Sequence, residues 1–133
     1  MTLYKSALLL EDDRDDQEIF QSAVRDRFPD LKCYVLNNGL EGLNFLVAGI
    51  VPDIIFSDLS MPLVDGKKFL KEYHTKKEYE PISPVIIFST SQAKKDKEEC
   101  IKLGASYYLV KPSTYLALLT ELEFILSRPW PVS

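Results

Sequence analysis

Five carboxylates fall within six consecutive positions near the start of the chain, Glu11-Asp12-Asp13-Arg14-Asp15-Asp16. Another, Asp58, closes the apolar run Ile54-Ile55-Phe56-Ser57 and precedes Leu59-Ser60-Met61-Pro62 and Asp65-Gly66. The hydroxyls of Ser89-Thr90-Ser91 close a second apolar run, and Lys111-Pro112 closes a third. Gathered carboxylates raise one another's pKa unless a cation sits among them. Their hard oxygens suit Mg2+ (or Mn2+), and Mg2+ takes one or two carboxylates, keeps waters and accepts a phosphate oxygen. A lysine ammonium can pair with a phosphoryl oxygen or a carboxylate, and a serine hydroxyl can donate to a second phosphoryl oxygen. A carboxylate can itself attack and form an aspartyl phosphate. These residue types suit phosphoryl transfer to a carboxylate, where catalysis is positioning plus charge neutralisation.

For these groups to meet, the runs that carry them must be parallel strands. Their carboxyl ends then share one sheet edge, where open α/β sheets bind ligands. The pattern alternates strand and helix. It predicts strands over 6–10, 31–36, 53–57, 85–89 and 106–110, and helices over 14–27, 40–47, 66–77, 94–103 and 114–127. The helix faces expected inward carry Ile19, Phe20, Ala23, Val24 and Phe28; Phe69, Leu70 and Tyr73; Ile101 and Leu103; and Leu116, Leu119, Leu122 and Leu126. Four of the strands are apolar throughout, as buried parallel strands are, while 31–36 alternates like an edge strand. Short βα connections and right-handed crossovers imply an open five-stranded parallel sheet with five helices covering both faces. Tyr107 and Tyr108 must point to opposite faces.

The 133 residues are read as one domain, 1–133, with a core over about 5–127 and a short Pro129-Trp130-Pro131 tail in 128–133. A chain this long buries roughly two-thirds of its unfolded surface. A net charge of −4 and a pI near 5.0 argue against a general nucleic-acid or acidic-membrane surface. No stretch approaches the ~18 apolar residues of a membrane span, and the start lacks a signal peptide. Cys33 and Cys100 lack metal-ligand spacing and read as reduced thiols. The expectation is a cytoplasmic protein with no membrane or nucleic-acid partner and no appended output domain.

Leu-Leu-Glu11-Asp12-Asp13, Asp58-Leu-Ser-Met-Pro-Leu-Val-Asp-Gly66, Phe88-Ser89-Thr90, Gly104-Ala105 and Lys111-Pro112 occur in order and together. In this the chain resembles the response-regulator receiver domains of two-component signalling, over almost its whole length. The resemblance implies a flavodoxin-like doubly wound sheet of order 2-1-3-4-5. It implies that Asp58 is the phosphoryl acceptor and that Asp12 and Asp58 bind Mg2+ directly. The backbone carbonyl of Ser60 completes that site, and Glu11 acts through water. Ser89 becomes the hydroxyl switch, Lys111 the phosphate-binding lysine and Tyr108 the aromatic that moves with the hydroxyl. Thr90 stands where a smaller residue is common and narrows access, while Ser60 and Ser91 tune phosphoryl lifetime. The implied donor is a histidine kinase or histidine phosphotransfer protein. The output is contact with a downstream protein, which the sequence leaves unknown. The resemblance also implies a cis Lys111–Pro112 bond.

Two other functions are weaker. A haloacid dehalogenase-type phosphatase needs its nucleophile in an Asp-x-Asp after the first strand, where this chain has Glu11-Asp12-Asp13, and it needs a cap insertion. A receiver fold that only binds partners would not need Asp12, Asp58, Ser89 and Lys111 together. Several residues have plainer readings. Asp13, Asp15 and Asp16 suit charge pairing at a helix N-terminus. His74 suits an exposed helix position, and Lys67, Lys68, Lys71, Lys76 and Lys77 suit a solvated face. Trp130 either packs back on the domain or joins a contact surface.

Overall fold

Strand side chains alternate between faces, so a wholly apolar strand is stable only where both faces are covered. The computed structural model, which describes residues 2–132, has this arrangement. Strands β1 (Ser6–Leu10), β2 (Lys32–Leu36), β3 (Ile54–Ser57), β4 (Val85–Ser89) and β5 (Tyr107–Val110) alternate with helices α1 (Arg14–Arg27), α2 (Gly39–Val47), α3 (Gly66–Thr75), α4 (Lys94–Lys102) and α5 (Tyr115–Leu126). The sheet order is β2-β1-β3-β4-β5, and every pairing is parallel. The order reverses between β1 and β3, which opens a crevice at their carboxyl ends.

Each central strand supplies two cores. Ala7, Leu9, Ile54, Phe56, Ile86, Phe88 and Leu109 face α1 and α5. Leu8, Leu10, Ile55, Val85, Ile87 and Tyr108 face α2, α3 and α4. On the first face Phe20 meets Phe56 edge-on, with ring centroids 5.1 Å apart. Truncating a ring so placed costs about 3–5 kcal/mol.

Asp13, Asn38, Asp65 and Thr114 cap α1, α2, α3 and α5 through their side chains. Strands β2, β3 and β5 each begin one residue later than expected. Before β3, Asp53 Oδ2 accepts the Lys5 and Ser6 N–H groups at 2.7 and 3.2 Å, so a side chain replaces the ladder there. Helix α3 stops at Thr75, where the hydroxyl bonds back to the Lys71 carbonyl and Lys76 turns extended.

Several expected core positions lie elsewhere. Ile19 and Leu116 are exposed, at 47% and 68%. The buried stripe of α5 is Leu118, Leu119, Leu122, Ile125 and Leu126, and Leu116 precedes it by about 200° of helical rotation. Ile19 flanks a stripe centred on Phe20, Ala23 and Val24. In α4 the buried residue is Cys100 and Ile101 is exposed, while Leu103 is partly buried against the second core. His74 is half-buried: Nδ1 lies 2.8 Å from the Leu70 carbonyl, and a Cβ on Gly104 (φ +111°) would strike the ring. Lys67 is not simply solvated, since it pairs with Asp96 and Glu99 of α4 at 2.8 and 2.7 Å. Among the described residues no peptide bond is cis, so Lys111–Pro112 is trans, the isomer that X-Pro bonds favour by about 0.5–1 kcal/mol. Trp130 packs back, with its ring 4.9 Å from Tyr107 and Nε1 donating to the Ile125 carbonyl at 2.8 Å. Among the described residues no helix is long and apolar enough to cross a membrane.

Candidate functional site

The register of the sheet brings the candidate residues together. Leu10 lies opposite Ser57, so Glu11 and Asp58 leave adjacent strands side by side. The Asp58 N–H donates to the Leu10 carbonyl at 2.9 Å, and the Glu11 N–H to the Leu36 carbonyl at 3.0 Å. At the other side the Lys111 N–H donates to the Ser89 carbonyl at 2.7 Å. The strand ends that carry the site are thus tied by backbone before any side chain acts.

The loop after Asp58 is equally constrained. Asp65 caps α3, and the Gly66 N–H donates to the Leu59 carbonyl at 2.9 Å. A Cβ on Gly66 would collide with the Asp58 carbonyl oxygen and the Leu59 Cα. Glycine is therefore required by close approach to the backbone of Asp58 itself. Between them Leu63 sits at φ +67°, and the Val64 N–H reaches the Pro62 carbonyl at 2.8 Å, a tight positive-φ turn.

Carboxylate oxygens of Glu11, Asp12 and Asp58 all lie within 4.8 Å of one another. Glu11 and Asp58 are buried and Asp12 is exposed. This is a hard-oxygen donor set open on one side, which fits a divalent cation that keeps water ligands. Ser60 lies two residues past Asp58 in the same loop, with its side chain exposed. Asp58 Oδ1 accepts the Leu59 N–H at 2.7 Å, and Oδ2 lies 3.4 Å from Lys111 Nζ.

Lys111 also donates to Glu11 Oε1 at 2.6 Å and to Asp16 Oδ2 at 2.8 Å. Burial would lower the pKa of its ammonium, but the hydrogen bonds to Asp16 and Glu11 and the Asp58 charge outweigh that and raise it. Glu11 behaves oppositely to an ordinary surface carboxylate. Burial, helped by the neighbouring Asp58 charge, pushes it up to about 7 against the pull of Lys111. The crevice holds more negative charge than one lysine can balance, the electrostatic condition that a cation relieves.

Ser89 is buried, and its Oγ accepts the Ser91 N–H at 3.1 Å. Ser91 Oγ donates to Asp96 of α4 at 2.6 Å and accepts the Ala93 N–H at 3.2 Å, which serves α4 where its N-cap, Ala93, has no side-chain cap. Tyr108 is buried with its hydroxyl on the Ser91 carbonyl at 2.9 Å. Thr90 is exposed at the rim. The sequence marks Asp16 only as a helix-end charge, yet it pairs directly with Lys111. The available signal is its spacing, one helical turn after Asp12. Gln17 is a further residue that sequence reasoning missed: Nε2 braces the Glu11 carbonyl at 2.6 Å and Asn37 Oδ1 at 2.9 Å.

The family model for the response regulator receiver domain matches residues 7–123. The chain belongs to that family. Regulatory protein AtoC of Escherichia coli (strain K12) is 30% identical over 128 residues, which cover 96% of this chain and 26% of that protein. The chain thus spans only about a quarter of that relative. The Mn(2+)-bound form of response regulator Rcp1 superposes with a TM-score of 0.82 at 25% identity, covering 96% of this chain and 99% of that one. The phosphorylated cyanobacterial phytochrome response regulator RcpA gives a TM-score of 0.82 at 26% identity, with the same coverage. Receiver domains are signalling modules that bind a divalent metal and typically take phosphoryl groups from histidine kinases.

Proposed function

We propose that this receiver accepts a phosphoryl group on Asp58 from a partner phosphohistidine and passes the signal by altered contact with another protein. The observation that carries this reading is the convergence of Glu11, Asp12 and Asp58 with Lys111 and Ser89 at one sheet edge. Asp58 Oδ attacks phosphorus, the P–N bond of phosphohistidine breaks, and its electron pair leaves on the imidazole, which takes a proton from solvent. Asp12 and Asp58, with the Ser60 carbonyl and with Glu11 acting through water, would hold Mg2+, which supplies positive charge beside the phosphoryl oxygens. Lys111 supplies further charge by pairing one phosphoryl oxygen, and Ser89 donates to another. Turning towards the phosphoryl group, Ser89 Oγ gives up the Ser91 N–H, which ties the event to Tyr108 and to α4. Thr90 sets the room available at the rim.

The test is intact mass after incubation with acetyl phosphate and Mg2+. The wild type gains one phosphoryl group, and Asp58→Asn or omission of Mg2+ abolishes the gain. No gain, together with no Mg2+ binding, rejects the reading in favour of an interaction module.

A further inference from the structure

Building on the phosphoacceptor reading, we propose that Asp16 is a positioning residue, a displaceable partner that holds Lys111 off Asp58 until a phosphoryl group draws the lysine across. A lysine ammonium has three N–H donors, and here three carboxylates surround it. The distances are unequal: 2.6 Å to Glu11, 2.8 Å to Asp16 and 3.4 Å to Asp58. The lysine leans away from the acceptor it is to serve.

To bind a phosphoryl oxygen Lys111 must release a partner, and solvent exposure decides which. The Glu11 side chain is 1% exposed and the Asp58 side chain 11%, whereas Asp16 is 37% exposed. Stripping the ammonium from buried Glu11 leaves a charge that water cannot reach, which is costly. Asp16 can rehydrate at once. It lines an open cleft of about 180 Å3 with Lys111, Ile19, Phe88 and Pro112. It is also held in place, because its N–H donates to the cap residue Asp13 at 2.9 Å and fixes it in the first turn of α1. A phosphoryl group, carrying about two negative charges at neutral pH, outcompetes a single half-hydrated carboxylate.

The experiment measures affinity for trifluoroberyllate, a tetrahedral stand-in for a phosphoryl group on a carboxylate oxygen, by 19F NMR in the presence of Mg2+. Mg2+ affinity is measured alone in parallel. Asp16→Ala binds trifluoroberyllate about two- to fivefold more tightly, the range set by a partly exposed ion pair. Its affinity for Mg2+ alone does not rise, whereas structural damage weakens both. Asp15→Ala removes the same charge from the exposed neighbouring position and leaves trifluoroberyllate affinity unchanged. Unchanged or weaker binding by Asp16→Ala, or equal tightening by Asp15→Ala, overturns the proposal. A wild type that binds Mg2+ but no trifluoroberyllate removes the phosphoacceptor reading itself, and this inference with it.

Discussion

Lys111→Met tests the electrostatics of the crevice in the metal-free protein. Methionine keeps an unbranched stem of similar length and deletes the ammonium. The lysine side chain is 11% exposed and its closest partner, Glu11, 1% exposed. Removing one member of a buried pair costs up to about 3–5 kcal/mol, because the other must stay charged without a partner or take up a proton. That is a large part of the roughly 5–15 kcal/mol that stabilises a domain.

Glu11 makes the loss depend on pH. Its folded pKa of about 7 lies above its ordinary value, so the protonated form contributes stability that is full at low pH and lost as pH rises through 7. Without the ammonium that pKa moves higher still, and the variant keeps the proton where the wild type has released it. Between pH 6 and pH 8 the wild type gives up most of one proton and the variant gives up little. The variant therefore loses up to about 1.4 kcal/mol more at pH 8 than at pH 6, the worth of one pKa unit. Urea titration with EDTA, followed by circular dichroism at both pH values, reads this directly. With an m-value of about 1–3 kcal/mol/M the midpoint at pH 8 falls by more than about 1 M. A loss below about 1 kcal/mol at pH 8, or an equal loss at the two pH values, would refute the claim that Lys111 neutralises a buried Glu11.

Mg2+ affinity should rise with pH across about 6–8, because Glu11, at about 7, must release its proton to act as a ligand or to hold a ligand water. A flat calorimetric profile over that range would contradict the assignment. Leu63→Gly relieves the positive φ at a residue already 75% exposed. The left-handed strain of about 1–2 kcal/mol is partly offset by the ~0.5–1 kcal/mol entropy of glycine, so stability holds or rises slightly; a drop of about 1 kcal/mol or more would mean the turn stores no strain. Burial pushes both thiols to about 11. With so little thiolate at pH 8, both react with a thiol-disulfide reagent at least about tenfold more slowly than a free cysteine of pKa ~8.5, and a free-cysteine rate at the buried Cys100 would show that its core opens readily.

Much of the architecture was legible because strands report burial through composition. A run such as 7–10, in register with Ile54–Ser57, needs no partner knowledge to be recognised as covered on both faces, and the polar residues that end the two runs must then share an edge. Helix faces were less legible, because each residue turns about 100° and one misplaced anchor shifts a whole stripe. Leu116 and Ile101 are apolar and lie close in sequence to the true core residues Leu118 and Cys100, yet they face solvent. Composition cannot separate them from the core; only the angle set by the neighbouring stripe does.

The same geometry explains why Asp16 is more than the helix-end charge its position suggests, while Glu11 stays in the acidic cluster. A run of acids after a strand reads as a solvated helix start, and for the capping residue Asp13 that is what forms. Glu11, however, is still on the line of β1 and is carried into the interior with its carboxylate against Lys111. Asp12 leaves the strand and faces solvent while keeping an oxygen in the cluster. Asp16 then returns one turn of α1 later, on the side that faces the end of β5. Three acids of one short acidic run thus receive three environments: buried, open and half-hydrated. A lysine arriving from a strand about a hundred residues away meets the buried one and the half-hydrated one at contact distance and Asp58 only at 3.4 Å. Sequence can place all of these groups at one edge. Which of them holds the ammonium depends on side-chain reach and on access to water, and those exist only once the crevice has closed around Glu11.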